Sequence, residues 1–103
     1  MKRQTVIFQK ENILSLADMK SDIRQKMSDS AVSYILNIEK LCGTGYSWIG
    51  PEKDPLPTTI MTRIWHDSDY NDYITNFSDS KNQHLEKLKA DDYIVIETIE
   101  DIT

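Results

Sequence analysis

The sequence is short of several things, and each shortage excludes something. One cysteine, Cys42, in 103 residues excludes an intramolecular disulfide and a cysteine-built zinc site, and it fits a reducing compartment. No apolar run approaches the roughly 18 to 20 residues that cross a bilayer. Met1-Lys2-Arg3-Gln4-Thr5 leads into only three consecutive apolar residues, too few for the core of a secretory signal. A cytoplasmic protein without membrane contact is the expectation. Glycine and proline number three each, and all six fall between Cys42 and Pro57, so breaker residues are confined to one segment. Positive charge is scarce as well: 12 Lys and Arg stand against 17 Asp and Glu. Six of the bases and only three of the acids precede Met27, which leaves the rest of the chain strongly acidic. Phosphate backbones need a concentrated positive surface, so nucleic acid is not an expected partner. An acidic surface of this kind ordinarily serves solubility.

What remains is an ordinary globular composition, 39% hydrophobic and 28% charged. The length gives room for one domain over 1–103, large enough to bury a core without staples.

Thr5-Val6-Ile7-Phe8-Gln9 is β-branched and aromatic and reads as a first strand, Val6 and Phe8 on one face and Ile7 on the other. Helix character begins at Ser15, where a hydroxyl can cap the first turn and Leu16, Met19, Ile23 and Met27 form one apolar stripe. Ser28-Asp29-Ser30 is expected to end that helix. Alternation over Ala31 to Glu39, with Val32, Tyr34, Leu36 and Ile38 in phase, predicts a second strand. The Gly/Pro-rich stretch 42–57 is expected as a long loop. Thr58 to His66 predicts a third strand, Ile60 and Ile64 on one face and Met61, Arg63 and Trp65 on the other. A second helix from Ser68 carries Tyr70, Tyr73, Ile74 and Phe77, and Ser78-Asp79-Ser80 predicts a break in it. Tyr93 to Ile99 predicts a fourth strand.

The expected order βαββαβ is that of an α+β, ferredoxin-like domain: a four-stranded antiparallel sheet with helices on one face. Yet apolar residues fall on both faces of these strands. Each large aliphatic side chain left wet forfeits roughly 1.5 to 3 kcal/mol, so the second face needs a cover, and the economical one is a second copy packed sheet to sheet, an isologous homodimer. The rival cover is the long loop folded back across the sheet.

The stretch Thr62-Arg63-Ile64-Trp65-His66-Asp67-Ser68-Asp69-Tyr70-Asn71-Asp72-Tyr73-Ile74 resembles the strand-to-helix segment of the dimeric α/β-barrel superfamily, which includes the antibiotic-biosynthesis monooxygenases. There a strand ending in an aromatic, commonly Trp, runs through a short Ser/Asp/Glu turn into an aromatic-bearing helix. The resemblance covers about a dozen residues and implies the ferredoxin-like fold and homodimerisation. The chain departs from that family in its longer proline-bearing connection and its interrupted second helix. The haem-degrading branch pairs an Asn on strand 1 and a Trp on strand 3 with a His on the following helix. Trp65 matches, strand 1 has no Asn, and His84 lies too far along, so that chemistry does not carry over.

The residues singled out for binding are Arg63, Trp65, Tyr46, Trp48 and His66. Arg63 beside the Trp65 indole can hold a carboxylate or planar ligand by paired donors and stacking; the plain alternative pairs Arg63 with an acid across the dimer and uses Trp65 as core. Tyr46 and Trp48 are aromatics among glycines, suited to anchoring a ligand or a partner, and the plain alternative packs Trp48 on the core edge. His66 next to Asp67 and Asp69 reads more simply as a helix start than as a base or metal site. His84 reads as a solvated surface residue. Gly43-Thr44-Gly45 lacks the lysine of a phosphate loop, Cys42 lacks an adjacent base, and no pair of carboxylates stands out. No catalytic residue, metal ligand or cofactor is assigned. The expected function is a small dimeric binding protein for a partner protein or a small organic ligand, without turnover. A cofactor-independent monooxygenase or isomerase using a cavity between helices and sheet is the first alternative, and an acidic accessory or inhibitory protein the second.

Overall fold

A computed structural model describes residues 1–53 and 56–102. The elements in chain order are β1 Lys2–Gln9, α1 Leu16–Gln25, α2 Asp29–Cys42, β2 Thr44–Ile49, β3 Thr58–Trp65, α3 Asp67–Ala90 and β4 Ile94–Asp101. The four strands form one antiparallel sheet in the order β2-β3-β1-β4. Because β1 and β2 both run antiparallel to β3, they are parallel to each other with β3 between them. The connection joining them carries both α1 and α2, so the class is α+β with three helices.

Three sequence expectations are corrected. The first concerns 31–39, a helix and not a strand. Buried Ala31, Ile35 and Ile38 recur at steps of four and three, the helical period, whereas Leu36, in phase with the supposed strand, is 38% exposed. An apolar density this high satisfies both periods at once, and the boundaries decide: Ser28 accepts from the Ala31 N–H at 3.3 Å, and Gly43, at φ 79°, supplies the positive φ that ends the helix. Ser28-Asp29-Ser30 therefore starts a helix as well as ending one. The second correction falls within 42–57. Thr44–Ile49 is an edge strand that directs Thr44, Tyr46 and Trp48 toward the helices and leaves Gly45 and Ser47 exposed. Three glycines in the eight residues 43–50 disguised that alternation. Asp54 and Pro55, within the stretch expected as loop, lie outside the described residues.

The third correction is that α3 runs unbroken through Ser78-Asp79-Ser80. Serine costs a helix interior only about 0.5 kcal/mol relative to alanine. That is outweighed by one continuous face on which Tyr73, Phe77, Lys81, His84 and Leu88 pack inward, with Leu88 wholly buried. α1 starts as expected, with Ser15 Oγ accepting from the Asp18 N–H at 3.1 Å.

The core lies between the helices and one face of the sheet. Val6 and Phe8 of β1, Met61 of β3, Met19 of α1, Leu88 of α3 and Tyr93 form one buried cluster; Trp65, Ile35 and Ile38 form a second. Below the first cluster, Tyr93 donates to Asp22 Oδ2 at 2.6 Å, and Lys26 bridges Asp22 and Asp91 at 3.0 and 3.1 Å, tying α1 to the end of α3. On the opposite face, Ile7, Ile60 and Ile96 stand in one cross-strand row. Ile94 and Ile96 there are 46% and 52% exposed.

Candidate functional site

The register of β1 against β3 builds the site. Gln4 lies directly opposite Arg63, and alternation sends Gln4, Val6 and Phe8 to the same face as Thr59, Met61, Arg63 and Trp65. Above this floor stand one face of α1 (Lys20, Ile23, Arg24) with Met27 just beyond it, one of α2 (Val32, Ile35, Leu36, Glu39) and α3 through Tyr73, Lys81 and His84. They do not close on it completely. A cavity of about 110 Å³ remains between the sheet and all three helices.

A polar network crosses the floor of this apolar space. Arg63 is 6% exposed and bonds Glu39 Oε1 through Nη2 at 3.0 Å. Its Nη1 reaches Gln4 Oε1 only at 3.4 Å, and Nη2 also approaches the Met61 sulfur at 3.4 Å. Gln4, 2% exposed, accepts from the Trp65 indole N–H at 3.0 Å and donates to Glu97 Oε2 at 2.8 Å. Glu97 in turn pairs with Lys81 of α3. Two buried polar atoms of cavity-lining residues have no partner among the described residues: Arg63 Nε and Thr59 Oγ1. A buried donor without an acceptor costs roughly 1 to 3 kcal/mol, so the network is under-satisfied where the cavity lies.

Three titratable groups of the lining, Tyr46, Tyr73 and His84, are biased toward their neutral forms. Burial pushes the Tyr73 phenol up to about 12, and burial likewise raises Tyr46. Burial lowers His84, against the smaller opposing effect of its backbone hydrogen bond. That bond, 3.0 Å from Nε2 to the Ile23 carbonyl, requires Nε2 to carry the proton, because a carbonyl only accepts. The neutral ring therefore keeps its lone pair on Nδ1.

The five residues selected from sequence are not gathered into one place. Arg63 and Tyr46 both line the cavity. Trp65 lies beside Arg63, with the guanidinium 5.5 Å from the indole centroid. It is wholly buried, however, with its N–H engaged by Gln4 and its ring packed on Tyr70 and Tyr73. Trp48 is half-buried against the Val6 and Phe8 cluster. His66 is exposed at the N-cap of α3 and makes no side-chain capping bond. The acid that meets Arg63 is Glu39 of the same chain, a correction to the pairing considered across a dimer: once 29–42 is helical, Glu39 follows Val32 and Ile35 on the face that looks down on β3.

Sequence reasoning passed over Gln4, Glu39, Lys81 and Glu97, and it placed His84 in solvent. A signal for the first two exists: each is a polar residue in phase with buried apolar ones, Gln4 with Val6 and Phe8, Glu39 with Ile35 at a helical step of four. Among the described residues no group of three or more His, Cys, Asp or Glu could hold a metal ion, and no helix is long and apolar enough to cross a membrane. No protein-family profile, curated protein or solved structure matches this chain.

Proposed function

We propose that this chain is a homodimer of ferredoxin-like subunits that binds a small organic ligand between sheet and helices and does not turn it over. The observation that carries the ligand-binding reading is the cavity of about 110 Å³, mostly apolar and floored by an under-satisfied polar network, which is how small-molecule sites are built. The strand order, read as β4-β1-β3-β2 with one helical crossover on each side, supports the ferredoxin-like description, with α2 as an addition to it.

The outer sheet face supports the dimer. Three strands of eight residues and one of six, at about 3.3 Å rise and about 4.8 Å apart, outline a face of roughly 480 Å² in plan. Corrugated by side chains, that approaches the roughly 800 Å² per partner of a stable interface. The described part of the 50–57 connection leaves Ile94 and Ile96 wet. Sedimentation equilibrium at micromolar concentration is expected to give twice the chain mass and to give a folded monomer for Ile96→Lys; a wild-type monomer overturns the dimer. Screening small organic compounds by amide shift perturbation is expected to move Val6, Met61 and Ile35 together. Compounds that perturb only the surface overturn the cavity reading.

One observation favours the enzymatic reading, a cofactor-independent isomerase or oxygenase: His84 lines the same cavity as a neutral imidazole with a free Nδ1 lone pair, the form a general base needs. Turnover of a bound compound that disappears in folded His84→Gln would establish it in place of passive binding.

A further inference from the structure

We infer that the cavity is selective for a small organic anion, a carboxylate on an apolar body of about three to four carbons, seated with its carboxylate at the Arg63 guanidinium. The inference rests on the reading of the cavity as a ligand site and adds the chemistry of the ligand.

Arg63 is the first ground. A guanidinium carries five N–H donors, and this one is 94% removed from solvent, since 6% remains exposed. Only one of its contacts is strong, the ion pair with Glu39 at 3.0 Å. Gln4 and Met61 stand at 3.4 Å, the Tyr46 hydroxyl adds a minor bond, and Nε has no acceptor among the described residues. A carboxylate bonds a guanidinium through two parallel N–H groups, so it supplies the acceptors this side chain lacks. Water or a neutral amide offers less in the same place.

Charge is the second ground, and it is independent of that geometry. Four cations line the cavity, Lys20, Arg24, Arg63 and Lys81, against two anions, Glu39 and Glu97. Both anions are taken, by Arg63 and Lys81. Lys20 lies 3.9 Å from the centroid of the Tyr46 ring, and neither it nor Arg24 makes an ion pair among the described residues. The lining thus holds two uncompensated positive charges in a chain whose formal net charge is -5. A local excess against the global sign draws in an anion.

Volume limits the rest of the molecule. Apolar cavities of about 150 Å³ take up benzene, and this one, at about 110 Å³, is smaller, so it suits a short alkyl chain, with apolar walls from Val6, Phe8, Ile35 and Met61.

The test compares matched probes of equal shape: butyrate with butyramide, and pentanoate with pentanamide. Butylamine serves as the cation. Binding is followed by calorimetry and by the Arg63 Nε–H resonance in proton–nitrogen spectra. The carboxylates are expected to bind at least tenfold more tightly than their amides, to shift the Arg63 Nε–H signal, and to weaken with salt. Arg63→Met is expected to abolish the preference. Lys20→Met/Arg24→Gln, at the outer side of α1, is expected to weaken carboxylate binding at least threefold more than it changes amide binding, and it carries the test if Arg63→Met does not fold. Amides or butylamine binding as tightly as the carboxylates, with the same cavity resonances moving, would overturn the anion selectivity and leave the ligand cavity standing. No cavity shift from any probe would overturn both.

Discussion

Removing Glu39 and Arg63 singly and together tests whether the network under the cavity is one electrostatic unit. In Glu39→Gln the guanidinium, 6% exposed, loses its one strong anionic partner. Breaking a buried ion pair from one side costs roughly 3 to 5 kcal/mol. The amide oxygen still accepts a bond from Nη2, which brings the expected loss to about 2 to 3 kcal/mol. In Arg63→Met the stranded group is Glu39, whose side chain is 20% exposed and can turn toward water. Loss of the cation beside Trp65 adds about 0.5 to 1 kcal/mol, and the total comes to about 1 to 2 kcal/mol. The double variant strands no charge, so it should cost about as much as Arg63→Met alone, leaving a coupling of about 2 kcal/mol. Urea unfolding at one fixed protomer concentration measures all four corners of the cycle, the midpoint moving with m unchanged. Two single losses that add to the double within about 0.5 kcal/mol would mean that the groups are not coupled, and the description of the site would be wrong.

Ser28→Ala is expected to lower stability by about 1 kcal/mol through loss of the bond to the Ala31 N–H, read as a lower urea midpoint; no change would return 28–30 to a passive connection. Tyr93→Phe removes a 2.6 Å bond to the Asp22 carboxylate and is expected to cost about 1 to 2 kcal/mol in the same assay. That bond is the main reason Asp22 stays below its ordinary value of 3.8. Its stabilisation is therefore present above that value and lost as pH falls through the folded one, and acid unfolding of the variant should begin at higher pH. His84 has the opposite sense for a histidine gaining a partner, because burial depresses it below 6.5. Between its folded value and 6.5 the unfolded chain binds more protons, so stability falls as pH drops through that window. The wild type should lose more melting temperature between about pH 7 and pH 5.5 than His84→Gln does; equal losses would mean that the imidazole is solvated.

Part of this molecule was legible in its sequence. Thr58 to Trp65 alternates cleanly enough that the pairing of Met61, Arg63 and Trp65 on one face, with Ile60 and Ile64 on the other, follows from the two-residue period of a strand. Ser15 ahead of an apolar stripe likewise announces α1, and those signals are local. Ala31 to Ile38 was different, since its apolar residues fit both periods. Choosing between them needed the cap at Ser28, the positive φ at Gly43 and the pocket that Ile35 and Ile38 fill beside Trp65. Thr44 to Ile49, with Gly45 inside it and Gly43 and Gly50 at its flanks, does not declare itself and becomes a strand because β3 offers it an edge. Once 29–42 is a helix, Glu39 swings over Arg63, and this placement created the site.

One-dimensional pattern determined which strand residues share a face, because a strand's geometry repeats within two residues. Only the tertiary structure decided which acid meets the buried arginine and that a space stays open above it. Those depend on how helices from distant parts of the chain settle on the sheet, and no local period encodes that.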